Sequence, residues 1–169
     1  FFLGRADDAG SPSLVPANNY GIYSTDGASD CHIENGIISG VETGIADELA
    51  HWKVNTVHVW NFQAGHGPFI NAFYDAIGGV IVANCQVDCA TFEVPFRFGS
   101  TSGHPSAMIG CQIHCVTGTD NIGQAVEVDS GTQLSAVGNV ITFAAGTRFA
   151  VDFTGTLTQL TIVGHQNKN

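Results

Sequence analysis

The chain is poor in positive charge. Only five basic side chains, Arg5, Lys53, Arg97, Arg148 and Lys168, stand against 15 acidic ones among 169 residues, a formal net charge of −10. Nucleic acids and anionic membrane surfaces are held by clustered Lys and Arg. These five are scattered, so both are poor partners. A strongly anionic glycan is disfavoured on the same ground unless a bound metal supplies positive charge, whereas a neutral glycan stays open. Long apolar runs are missing as well. Nothing approaches the roughly 20 residues of a membrane-spanning helix, so no membrane insertion is expected. There is no GxSxG, no HExxH and no strand–Gly-loop–helix unit to cradle phosphate, and no cofactor is implied. No secretory leader is visible and the chain opens on Phe1 rather than Met, which suggests a processed product or a piece of something longer.

What the sequence has instead is recurrence. "CHIENGIIS" (31–39) is followed by "VHVWNFQAG", "VIVANCQVDC" and "AMIGCQIHC". The small turn residues Asn35, Asn61, Asn84, Gly110, Gly138 and Gly164 serve as anchors, and they return at nearly even steps. Two residues before each anchor stand Ile33, Val59, Val82, Met108, Ala136 and Ile162. Four before stand Cys31, Val57, Val80, Ser106, Leu134 and Leu160, and three after stand Ile38, Ala64, Val87, Ile113 and Ile141. Such short period-2 alternation means strands. A unit recurring every few tens of residues means a solenoid of stacked copies. Asn and Gly suit a corner that needs positive φ.

A third alternating stretch closes several coils: Phe96-Arg97-Phe98, Val126-Glu127-Val128 and Val151-Asp152-Phe153. The pattern predicts an all-β parallel β-helix with three sheets over residues 19–169. A β-sandwich would show hairpin turns and no columns of equivalent residues. Segment 1–18 does not repeat. It reads either as an N-terminal cap, with Phe1, Phe2 and Leu3 over the first coil, or as a linker.

Together with "NYGIYSTDGASDCHIENGIISGVETGI", the coil pattern resembles the right-handed parallel β-helix superfamily of pectate and pectin lyases. It is most similar to the β-helical bodies of bacteriophage tailspikes, over about Asn19 to His165. The anchors give about five to six coils, and the resemblance implies a right-handed β-helix, a homotrimer, a cell-surface polysaccharide partner, and an extracellular or virion-surface (tail) location. A coil rather than a catalytic motif carries it. No residue set here matches a pectate lyase's calcium carboxylates and catalytic Arg.

Stacking puts equivalent residues about 4.8 Å apart, so columns are the unit of inference. Cys85 would stack on Cys111 and Cys89 on Cys115, facing inward. Their CxxxC spacing spans about 13 Å in extended chain, too far for one tetrahedral zinc, and no metal site is expected. The pairs read as stacked reduced thiols. Disulfides between adjacent coils also fit the allowed Cα window, with Cys31 left over. Gln63, Gln86 and Gln112 would form an outward amide ladder, and Asn61 and Asn84 a second one in the corner.

The outer face of the first strand divides in two. Early coils carry His32, Glu34, His58 and Trp60, an aromatic platform with donors and acceptors suited to a neutral sugar. Trp52, with Asp47, Glu48 and His51, would extend it; the alternative is an ordinary solvated sheet with a packed Trp. Later coils carry Ile81, Ala83, Ile109, Val137 and Val163. So apolar a face points to an interface with another chain, or to cover by a loop from "GSTSGHPS" or "VTGTDNIGQ".

On the third strand, Asn71, Arg97, Glu127 and Asp152 share a column. Glu127 and Asp152 would sit about 5 Å apart, the separation of a retaining glycosidase's carboxylates. Arg97 beside them suggests a surface ion ladder instead. Asp88 and His114 form another outward pair.

Three functions are open, and the first two are a receptor-binding segment of a tailspike or fibre that grips a glycan and a polysaccharide-degrading enzyme of the same fold. A hydrolase would use Glu127 and Asp152, or Glu34 with an acid from Asp30, Asp47 or Glu48. A lyase is the weaker reading, because it must neutralise a substrate carboxylate and this chain lacks clustered Arg. A stand-alone secreted β-helix with a structural role is the third reading.

Overall fold

The computed structural model describes residues 2–3, 20–23, 30–41, 43–47, 52–60, 72–76, 78–89, 94–99, 103–115, 126–129, 131–142, 151–153, 159–164 and 166–168. The chain enters with β1 (Phe2–Leu3) and β2 (Tyr20–Tyr23). A long bent strand, β3 (His32–Ser39), and β4 (Thr43–Asp47) make the next coil, and β5 (Lys53–Trp60) and β6 (Phe73–Asp75) repeat that plan. Further coils use three separate strands: β7 (Ile81–Ala83), β8 (Gln86–Cys89) and β9 (Phe96–Phe98), then β10 (Ser106–Ile109), β11 (Gln112–Cys115) and β12 (Val126–Val128). Next come β13 (Gln133–Val137), β14 (Val140–Thr142) and β15 (Val151–Phe153), and finally β16 (Gln159–Val163) and β17 (Gln166–Lys168).

Every pairing is parallel and joins one coil to the next, so the fold is an all-β parallel β-helix; its three faces form two hydrogen-bonded sheets rather than the expected three, of eleven and six strands, because β3 and β5 run unbroken from the first face to the second. The first face runs β3-β5-β7-β10-β13-β16, the second β1-β3-β5-β8-β11-β14-β17 and the third β2-β4-β6-β9-β12-β15. Coils at both ends are incomplete among the described residues, where β1 and β2 have no first-face strand and β16 and β17 no third. Phe2 and Leu3 pair with Ile37 and Ile38. The rest of segment 1–18 lies outside the described residues.

The core is built of columns, one residue per coil. Ile33, Val54, Val82, Met108 and Ala136 line the first face; Ile38, Val59, Val87, Ile113 and Ile141 line the second. Phe73, Phe96 and Val126 line the third, with the Phe73 and Phe96 rings stacked 4.8 Å apart. Burying each branched or aromatic side chain is worth roughly 1.5–3 kcal/mol, and a column repeats that gain in every coil.

Between first and second faces the chain turns through one residue in the left-handed region. These are Asn35 (φ 55°), Thr56 (55°), Asn84 (52°), Gly110 (62°), Gly138 (64°) and Gly164 (62°). The second corner is therefore Thr56 and not Asn61, which lies outside the described residues. A search for Asn or Gly misses it, because Thr is among the residues least suited to positive φ. The step from Asn35 to Thr56 is the shortest in the series, and the step from Thr56 to Asn84 is correspondingly long.

Moving that corner from Asn61 to Thr56 corrects the second coil. His58 and Trp60 belong to the second face, opposite Ile37 and Ser39 on one side and Gln86 and Asp88 on the other. First-face outer positions of this coil are Lys53 and Asn55, opposite His32 and Glu34. Trp52 lies one residue before, level with Cys31 and Val80, and is only 3% exposed. It is a core residue, which removes it from any sugar-binding platform.

Candidate functional site

A groove of about 420 Å³ follows the outside of this corner. Its lining is one structural unit taken from three successive coils: Asn35, Gly36 and Ile37; Thr56, Val57 and His58; Asn84 and Gln86. Side chains of Asn35, Ile37, Thr56, Asn84 and Gln86 are exposed. Asn84 donates from Nδ2 to Asn55 Oδ1 at 3.1 Å, tying two coils together. The surface therefore offers amides, a hydroxyl, an imidazole and an apolar patch, with no carboxylate or ammonium among its lining residues.

His58 is held from the next coil. It donates from Nε2 to Asp88 Oδ2 at 2.9 Å, since a carboxylate only accepts. Asp88 Oδ1 lies 3.6 Å from His114 Nδ1 and accepts from Gln86 Nε2 at 3.4 Å. The Asp88–His114 pair appears as the sequence suggests; His58 joins it only because of the corrected corner. These groups are partly exposed, so their value lies in orienting His58 more than in stability. By register His58 stands before Gln86 and Gln112 in that outward column, so an imidazole precedes the two amides; Gln63 lies outside the described residues.

The predicted sugar platform does not assemble. His32 and Glu34 are exposed on the first face, while His58 and Trp60, both half-buried, stand across the corner on the second. Glu48 and His51 lie outside the described residues, as does the Asp47 side chain. The sequence signal that could have found the groove was the parity of inward residues around "KVNTVHVW", which places the bend after Asn55.

On the third face Tyr74, not Asn71, precedes Arg97 in the column, and Asn71 lies outside the described residues. Arg97 sits over the Tyr74 ring at 5.6 Å and grips Asp129 with both Nε and Nη2, at 3.2 and 3.3 Å. Glu127 is 8% exposed, with Oε2 4.0 Å from Arg97 Nε. Glu127 and Asp152 are register partners, but the Asp152 side chain lies outside the described residues. The arrangement is a charge-paired ladder, with the Arg97 guanidinium shared between the Asp129 and Glu127 carboxylates.

Inside the second face, Cys85 and Cys111 stack as predicted and both are free thiols. Each thiol donates to backbone carbonyls, Cys85 to Ala83 and Cys111 to Val82 and Ile109. The hydrogen bond with Cys85, reinforced by burial, holds the Cys111 thiol well above the usual thiol range. The same hydrogen bond lowers the Cys85 thiol, and both side chains are buried in the core. Cys89 and Cys115 are register partners whose side chains lie outside the described residues. Among the described residues no group of three or more His, Cys, Asp or Glu is arranged to hold a metal ion.

The apolar stripe is present on the first face, and of the loops that could cover it residues 100–102 and 116–124 lie outside the described residues. Ile81 is 37% exposed, Ile109 42%, Val137 37% and Val163 54%. Its register needs one correction: Ile81 stands opposite Ala107, while Ala83, Ile109, Val137 and Val163 share one column. Compared with protein-family models, with curated proteins and with solved structures, the chain matches none.

Proposed function

We propose that this chain is the glycan-recognising β-helical segment of a tailspike- or fibre-like adhesin. In this reading it binds a neutral cell-surface polysaccharide at its outer corner and associates with copies of itself through the first-face stripe. The groove across Asn35–Ile37, Thr56–His58, Asn84 and Gln86 carries the reading. It is uncharged apart from the imidazole, rich in amide and hydroxyl groups, and set on rigid strands, as recognition of sugar hydroxyls requires. The chain's net charge of −10 agrees with an uncharged ligand. Such a protein acts outside the cell or at the virion surface, and a homotrimer would multiply weak individual contacts.

A hydrolase has one observation in its favour, the adjacency in register of Glu127 and Asp152. One experiment separates the two readings. The chain is incubated with uncharged linear hexasaccharides of glucan, mannan and galactan, and both retention and newly formed reducing ends are measured. Retention of intact sugar, weakened in His58→Ala, supports recognition. Reducing ends that vanish in Glu127→Gln would replace it with hydrolysis.

A further inference from the structure

Three of the four non-glycine residues with positive φ among the described residues, Asn35, Thr56 and Asn84, line the groove; the fourth, Asp30, does not. All six corners need positive φ, and the last three meet that need with glycine. The first three corners carry side chains instead, and these are the three that line the groove. Asn tolerates the left-handed region, and Asn84 has a structural use for its amide in the bond to Asn55. Thr56 has neither excuse. It is β-branched, a rare and strained occupant of φ 55°. It is exposed, so core packing does not require it, and its hydroxyl finds no hydrogen-bond partner among the described residues. Glycine would satisfy the same turn without the steric cost, as it does at positions 110, 138 and 164.

We infer that Thr56 is a ligand-contacting residue, kept at the centre of the groove against the backbone's preference for glycine because its hydroxyl binds an uncharged, hydroxyl-bearing chain. The inference rests on the glycan reading above and names the residue on which it turns. Thr56 occupies the middle coil of the three, two residues before His58 on the same strand and between the Asn35 and Asn84 corners. From there its hydroxyl can both donate to and accept from a sugar hydroxyl, flanked by the amides of Asn35 and Asn84.

The test uses the full chain and whichever of the hexasaccharides it retains. Thr56→Gly is expected to melt at the same temperature or higher, yet bind about tenfold or more weakly, the loss expected for one ligand hydrogen bond with its packing. Thr56→Val keeps the shape and the strain but not the hydroxyl, and it is expected to lose affinity with an unchanged melting temperature. Thr56→Ser is expected to stay within about threefold of the parent. Parent-like binding by Thr56→Gly or Thr56→Val overturns the inference while leaving the glycan reading intact. A lower melting temperature in Thr56→Gly assigns Thr56 a structural role and also overturns it. Failure of the parent chain to retain any of the sugars overturns both.

Discussion

At position 75 the third face places a carboxylate where the next coils of the same column place Phe98 and Val128. Asp75 is 3% exposed and fully engaged: Gly78 N–H donates to Oδ1 at 2.7 Å and Ser106 Oγ to Oδ2 at 2.8 Å. Ser106 in turn accepts from Gly79 N–H at 3.0 Å. One side chain thus fastens a tight turn and the start of β10 in the following coil. Asp75→Ala strands the Gly78 N–H and the Ser106 hydroxyl in a dry site, each costing about 1–3 kcal/mol. Urea unfolding should show a loss of about 2–4 kcal/mol, with Asp75→Asn falling between, because an amide retains an acceptor but turns a donor toward one of the two hydroxyl or N–H groups. A loss under about 1 kcal/mol would show that water replaces the carboxylate. Neither Asp75 nor Thr56 was legible in the sequence. Pattern reading assigns charge to the surface and positive φ to Asn or Gly, and each residue breaks one of those rules for a local reason.

Elements are far more legible than single residues. The recurring inward positions around Asn35, Asn84, Gly110 and Gly138 mark faces and register for those coils, because burial repeats wherever strands stack. The coil of β5 and β6 escapes the pattern: its first two strands are one continuous strand, bent at a residue with no turn signature. Spacing then hides the shift, since the short step from Asn35 to Thr56 and the long one from Thr56 to Asn84 offset each other. Close approach of elements is equally hidden. Gly44 in β4 stands beside Gly21, and a Cβ built on it would lie 2.5 Å from the Ala72 carbonyl oxygen and 2.8 Å from Val59 Cγ1. Backbone cannot retreat from such an overlap without parting two coils. Gly44→Ala should therefore cost about 1–3 kcal/mol and lower the melting temperature measurably, although alanine is the smallest possible addition. An unchanged melting temperature would show that β4 can slide against β6.

At the scale of the molecule, two opposed terms act on the first-face stripe. Ile81, Ile109, Val137 and Val163 are exposed apolar side chains on this face, which favours association. The net charge of −10 on every copy opposes it. Salt weakens the second term and leaves the first nearly untouched, because the Debye length falls from about 30 Å at 0.01 M to about 8 Å at 0.15 M. If the stripe joins copies of this chain, light scattering across a dilution series should give a mass that rises with ionic strength. Ile109→Lys combined with Val137→Lys should hold the protein at monomer mass at every salt concentration and melt no lower than the parent does when diluted to monomer, because both side chains point away from the core. This double variant also makes the chain less anionic, so charge alone would push it toward assembly. A monomeric result therefore isolates the apolar contact. A parent chain that stays monomeric at high salt would instead remove self-association from the proposed function and leave the corner groove to bind glycan one molecule at a time.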